Sequence, residues 1–351
     1  MRSLLVPAVL LTWFDCSLSH AYPIPPRTLW SLVDDAELIV VAKVEEAGRM
    51  AFPPDTYAEL AFAPDGRGGS HRPHFGIGDL YHLRVVETWK GPDAPVVEVD
   101  NDDNTICPAP GRFVPGETVL AFLSGNRGSW FATHRSYGTL YPTGEGLAVF
   151  RSLVRSRLAM LARGKVTDKE RHAWLLEAAS HSATRWHGLY ELTNVYDEAH
   201  RYYDRERSGT SSKAIPMTSA ERRALAKAFV EDPTADSTLA MLLHIVACVR
   251  DPAFDATVVN VLDHAVTEED SAYWLTEVLP LVAKRFGLEP PNLSDDDLDG
   301  ADPLASDPLF KRRKATTDAW LQLRQNIRIP EARVRPKPTS RVHGVGSNTP
   351  P

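Results

Sequence analysis

Three histidines are the first residues in this chain that could do chemistry. His71 and His74 share a glycine-rich stretch, and His82 follows where the sequence turns apolar and β-branched. Three imidazoles with an open fourth position are the donor set of a catalytic zinc, which would make the chain a metal-dependent hydrolase. The spacing gives that reading little help. The H-x-x-H lies on no helical pattern, no glutamate is placed to act as a general base, and twelve histidines scatter along the chain. A solvated loop is the plainer reading of His71 and His74. A second donor set is made of oxygens: Asp295, Asp297, Asp299 and Gly300 reproduce the opening of an EF-hand calcium loop. Calcium also needs a bidentate carboxylate at the twelfth loop position, where Ser306 stands, and the eighth is Asp302 rather than an apolar residue. An acidic linker is therefore expected. Asp100, Asp102 and Asp103, beside Asn101 and Asn104, form another acidic group whose residue types suit a turn after a strand.

No G-x-S-x-G elbow and no glycine-rich phosphate loop between a strand and a helix occur in the sequence. The reading therefore assigns no catalytic residue and no cofactor, with zinc or calcium at the groups above as the alternatives. Cys107 and Cys248 are the two cysteines beyond the N-terminal segment. In an oxidising compartment they could form one disulfide tying the two halves of the chain together, whereas the apolar run Leu242 to Val249 suits a buried free thiol equally well. The stretch from Trp174 to Tyr203 is rich in aromatic residues. Trp186, Tyr202 and Tyr203 are its candidates for a partner-binding surface, because exposed tyrosine and tryptophan favour interfaces; core packing is the competing use.

The elements that would position these residues change character midway. Residues 1–21 read as a secretory signal: Arg2, an apolar run from Leu4 to Phe14, then Ser19 and Ala21 as the small residues before a cleavage site. The run is too short to span a bilayer, and Asp15 before Cys16 argues against a lipoprotein site. An exported chain, secreted or periplasmic, is expected. From Tyr22 to about Tyr141 the texture is strand and turn: Glu37 to Val44, Tyr81 to Trp89, Val96 to Val99, Thr118 to Leu123 and Trp130 to Thr133, after a short helix near Pro26 to Val33. Few strands and many turns predict a small, nearly closed β-barrel, with residues 52–78 as an insertion between the first two strands.

After Gly146 apolar residues recur at helical spacing. Helices are expected over about 147–163, 168–181, 185–206, 219–231, 235–250, 254–266, 271–286 and 316–325. Thr167 with Glu170, and Thr218 with Glu221, have capping-box spacing, and Asp-Pro at 232–233 and 251–252 breaks helices. Two helix pairs of similar length starting near Thr218 and Pro252 suggest a hairpin array of the HEAT or tetratricopeptide kind, with an ordinary bundle as the alternative. Residues 289–308 form an acidic, proline-rich loop, and 328–351 a basic, proline-rich tail expected to be disordered. The fold class expected is thus all-β plus all-α in two domains, 22–146 an OB-like barrel and 147–327 helical. Hydrophobic residues make up 43% and charged residues 24% of the 351, an ordinary globular composition. A net charge of −7 argues against nucleic acid or an anionic membrane as the main partner, and no second apolar run approaches a membrane span.

Three segments of the first half carry a resemblance: Asp34-Asp-Ala-Glu-Leu-Ile-Val-Val-Ala-Lys-Val44, Val85-Val-Glu-Thr-Trp-Lys-Gly91 and Pro115-Gly-Glu-Thr-Val-Leu-Ala-Phe-Leu123. They resemble bacterial secreted proteins with a domain similar to the tissue inhibitors of metalloproteinases, the netrin-like OB-fold. The resemblance implies an OB barrel and, as one possible activity, protease inhibition. The animal inhibitors chelate a protease zinc through an N-terminal cysteine, and the expected mature start here is Tyr22-Pro-Ile-Pro25. The function expected is an exported, non-enzymatic binding or scaffold protein whose partner is another envelope or extracellular protein. A metal-dependent hydrolase, or a protease inhibitor acting through the barrel, is the alternative.

Overall fold

Alternation along one strand organises the first half of the molecule. In β1 (Leu38–Ala51), Leu38, Val40, Ala42 and Val44 turn one way and Ile39 and Val41 the other, and all six are buried. A strand with both faces covered must lie between two packing layers. The computed structural model describes residues 26–51, 77–102, 109–126, 129–193, 216–268, 271–293 and 308–328, with the backbone alone at 46–47, 49–51, 77–78, 102, 126 and 308–309. The expected signal segment, the insertion at 52–76 and the tail from 329 lie outside these residues.

β1 pairs with β2 (Ile77–Lys90), and β2 with β3 (Val96–Asp102), both antiparallel. β4 (Thr118–Asn126) pairs with β1 on one side and with β5 (Ser129–Ala132) and β6 (Thr139–Leu140) on the other. One parallel pairing, Val99 with Trp130, joins β3 to β5, so the order β1-β2-β3-β5-β4 closes back on β1 as a five-stranded barrel. Its interior holds Leu38, Val40, Ala42, Val44, Tyr81, Leu83, Val97, Val99, Phe113, Val119, Ala121 and Leu123. The opposite face, Ile39, Val41, Leu120 and Phe122, joins a second core that runs on through the helices.

Helix α1 (Leu29–Asp35) precedes the barrel and buries Leu29, Leu32 and Val33 in that second core. After the barrel come α2 (Gly144–Ala162), α3 (Asp168–Ser180), α4 (Arg185–Leu192), α5 (Ser219–Glu231), α6 (Thr238–Ile245), α7 (Pro252–Ala265), α8 (Ala272–Arg285) and α9 (Pro308–Asn326). α3, α5 and α7 neighbour one another in one row, and α4, α6 and α8 in a second, with α9 against α8. Both expected capping boxes form: Thr167 and Thr218 accept from the backbone of Glu170 and Glu221, whose carboxylates accept from the threonine amides. Asp251 caps α7 by accepting from Ala253 and Phe254, with Pro252 in the first helical position.

Three helices differ from the expected spans. α4 ends at Leu192, where Thr193 is in extended backbone, rather than running on towards 206. α6 stops at Ile245 although apolar residues continue to Val249. Arg222 donates to the Ile245 carbonyl, and Arg285 to those of Val246 (3.2 Å) and Val249 (2.7 Å), so arginines from α5 and α8 satisfy the carbonyls released by the early ending. α9 starts at Pro308 rather than near Thr316. Its buried side begins with Arg312, 8% exposed, followed by Thr316, Trp320 and Leu323, and polar members at its head hide the apolar period.

Candidate functional site

Charged and polar side chains gather around α1, where the barrel meets the helices. The helix carries Asp34 and Asp35 in its last turn, with Glu37 just beyond, at the end where the backbone already presents unpaired carbonyls. That placement is unfavourable alone, and two cations and an imidazole from three other elements answer it. Arg157 of α2 grips Asp34 with two parallel bonds of 2.7 and 2.6 Å, its own side chain only 6% exposed. Lys90, at the end of β2, donates to the Val33 carbonyl at 2.9 Å, and burial pushes its pKa down. His134, in the turn after β5, holds Asp35 at 2.6 Å.

That turn is strained. His134 and Arg135 are consecutive non-glycine residues with φ of 54° and 61°, in the left-handed region. Surrounding bonds fix the conformation: Thr133 donates its amide to the Phe122 carbonyl, and Ser136 donates its own to that of Ala109. An imidazole oriented by a carboxylate is one component of acid–base machinery. In this position it fastens the turn to α1.

The other end of α1 is held by α4. The Leu29 amide, left without an intrahelical partner, donates to His187 Nδ1 at 3.1 Å. His187 is therefore neutral with its proton on Nε2, and burial pushes its pKa down to about 4. One turn on, Glu191 accepts from the Thr28 hydroxyl at 2.6 Å and from Arg171 at 2.7 Å. Between the two ends, Trp30 meets Trp174 edge-on at 5.1 Å, and the Arg157 guanidinium lies 3.7 Å from the Trp30 ring centre. A cation over a desolvated indole adds about 1–2 kcal/mol. A further clamp joins α2 to β2, where Arg151 holds Glu87 through bonds of 2.9 and 2.5 Å. These bonds, with one from Trp89, hold the Glu87 carboxyl below its usual pKa.

The candidates named from sequence fall differently. His71, His74, Asp295, Asp297, Asp299, Tyr202, Tyr203 and Cys107 lie outside the described residues. His82 points outward from β2, with its Nε2 3.5 Å from Glu98 on β3. Trp186 is half-buried on α4, stacked on Tyr190 at 5.1 Å and edge-on to His187. Cys248 is an exposed free thiol in the turn after α6. Asp100 is buried near the end of β3, and desolvation raises its pKa. Among the residues whose side chains are described, no three His, Cys, Asp or Glu groups come together as a metal centre requires. No described helix is long and apolar enough to cross a membrane.

Sequence reasoning missed Asp34, Asp35, Arg157, His134 and His187 as functional partners. Asp34 and Arg157 are 123 positions apart, and no local pattern joins them. Compared with known proteins, the chain matches no family model, no curated protein and no solved structure.

Proposed function

We propose that this chain is an exported, non-enzymatic binding or scaffold protein whose partner is another envelope or extracellular protein. The observation that carries the reading is how the charged groups around α1 are used. The carboxylates of Asp34, Asp35, Glu87 and Glu191 and the imidazole of His187 each hold one element to another across the junction of barrel and helices. Ionisable groups committed to such bonds favour a framework that presents surfaces over a centre that turns a substrate over. The strand order β1-β2-β3-β5-β4, closing on β1, supports an OB-like barrel of the netrin-like kind as one domain. The two rows of helices support a HEAT-like array as the other. Trp186, half-buried on α4 and leading in sequence towards Tyr202 and Tyr203, is the proposed edge of the partner surface.

The test is crosslinking followed by affinity capture of tagged residues 22–351 in the envelope of the source cell. One dominant partner in fixed stoichiometry is expected, with Trp186→Ala reducing its recovery while the far-UV dichroism stays unchanged. Recovery of the chain alone would overturn the binding reading.

A further inference from the structure

Helix α9 is the last described element of the chain, and among the described residues only one of its sides is covered. Arg312, Thr316, Trp320, Leu323 and Ile327 are buried. The bonds on that side lead to α7 and the turn after it: Trp320 and Arg324 donate to Asp263, and Arg313 to the Thr267 carbonyl at 3.1 Å. The opposite side carries Phe310 and Leu321, 65% and 53% exposed. At about 3.6 residues per turn, their separation in sequence brings them within about 20° of each other around the helix and about 16 Å apart along it. Single exposed apolar side chains need no explanation. Two large ones aligned over about three turns form a stripe, on the outer face of a terminal helix where polar residues are the rule.

We infer that this stripe seats a second copy of the chain, the two α9 helices packing antiparallel about a two-fold axis. The occupant follows from self-complementarity. A two-fold interface sets each residue against another of the same patch, so the stripe must match its own reverse. With the axis at the level of Ala315 and Thr316, Phe310 meets the partner's Leu321 at both ends of the contact. The same axis sets Lys314 against the partner's Asp318. These two residues lie on one flank of the stripe, both exposed, and pair with each other at 3.0 Å within the helix. The second copy completes an alternating group of two cations and two anions. An apolar seam with charges along its flank is how paired helices choose partner and orientation. A partner of uniform charge would meet the wrong sign at one of the two positions.

The test is sedimentation velocity of the full chain. A contact one helix wide predicts a weak dimer, with a Kd of about micromolar order, so concentrations of about 1–100 μM span it. Phe310→Ser and Leu321→Ser should each weaken the dimer by about tenfold or more. Lys314→Glu and Asp318→Lys should each do so alone, because like charges then face each other twice. Mixing those two variants should restore a dimer, a heterodimer in which both facing pairs are again opposite in sign. Mixing does not repair the broken bond within either helix, so the restoration reads contact between chains. All four substituted residues are exposed, and an unchanged far-UV dichroism spectrum shows that each variant is folded. A chain that stays monomeric, its stripe covered by a segment of its own or by an unlike protein, would overturn the assignment. So would a dimer indifferent to Phe310→Ser and Leu321→Ser, or no recovery on mixing.

Discussion

His187 makes the stability of this protein depend on pH in a defined direction. The ring sits between Phe150 and Trp186, both edge-on to it, and accepts from the Leu29 amide. Protonation would turn Nδ1 into a donor facing a donor. Burial lowers the pKa from an ordinary 6.5 to about 4, and each unit is worth about 1.4 kcal/mol, giving roughly 3 kcal/mol in all. The unfolded chain takes up this proton below about pH 6.5 while the folded one does not, so stability rises with pH across that window. The contribution is complete above pH 6.5, declines as pH falls towards 4, and levels off below. The perturbation is His187→Asn, whose side-chain oxygen can still accept from Leu29 but does not titrate. Urea unfolding of both proteins at pH 7.0, 5.5 and 4.5 isolates the effect, because titrations common to both cancel in the difference. The parent should lose roughly 2.4 kcal/mol more than the variant between pH 7.0 and 4.5, the remainder of the effect falling below pH 4.5. Curves that stay parallel within about 0.5 kcal/mol would refute the reasoning.

Asp34→Ala leaves Arg157 buried without its partner. Because Asp34 is 30% exposed, the loss should fall at the lower end of the range for broken buried pairs, about 2–3 kcal/mol, and adding Arg157→Met should recover part of it in a denaturant series. Gly188 lies where α4 crosses α3, and a Cβ there would run into the backbone of Ala179 and Leu175. Gly188→Ala should cost about 1–3 kcal/mol and lower the melting temperature; an unchanged melt would mean the two helices are not so closely packed. Thr218→Ala removes one capping box and should cost about 1 kcal/mol by the same measurement. Cys248 should label with a maleimide in the folded, unreduced protein, and labelling only after reduction would show it bonded to Cys107.

The strands were legible in the sequence as apolar, β-branched runs bounded by turn residues, and β1 and β4, buried on both faces, read as nearly unbroken apolar stretches. The capping boxes were legible because each is complete within four residues. Local signals failed where a distant residue decides the outcome. Arginines from α5 and α8 satisfy the carbonyls at the end of α6, and the buried head of α9 is Arg312. The junction was invisible for the same reason: α1 reads as a short amphipathic helix, and nothing near it announces Arg157, Lys90, His134 or His187. Trp186 meets Tyr190 one helical turn on, a contact that spacing already implies, whereas the neighbour of His82, Glu98, is assigned by strand pairing alone.

If α1 and the outer face of β1 and β4 join barrel and helices into one framework, the two parts should lose structure together. Calorimetry of residues 22–351, with tryptophan fluorescence and far-UV dichroism followed over the same temperatures, tests this most directly. One cooperative transition shared by all three probes is expected, splitting or broadening in Asp34→Ala. Two resolved transitions in the parent protein, one for each part, would contradict it.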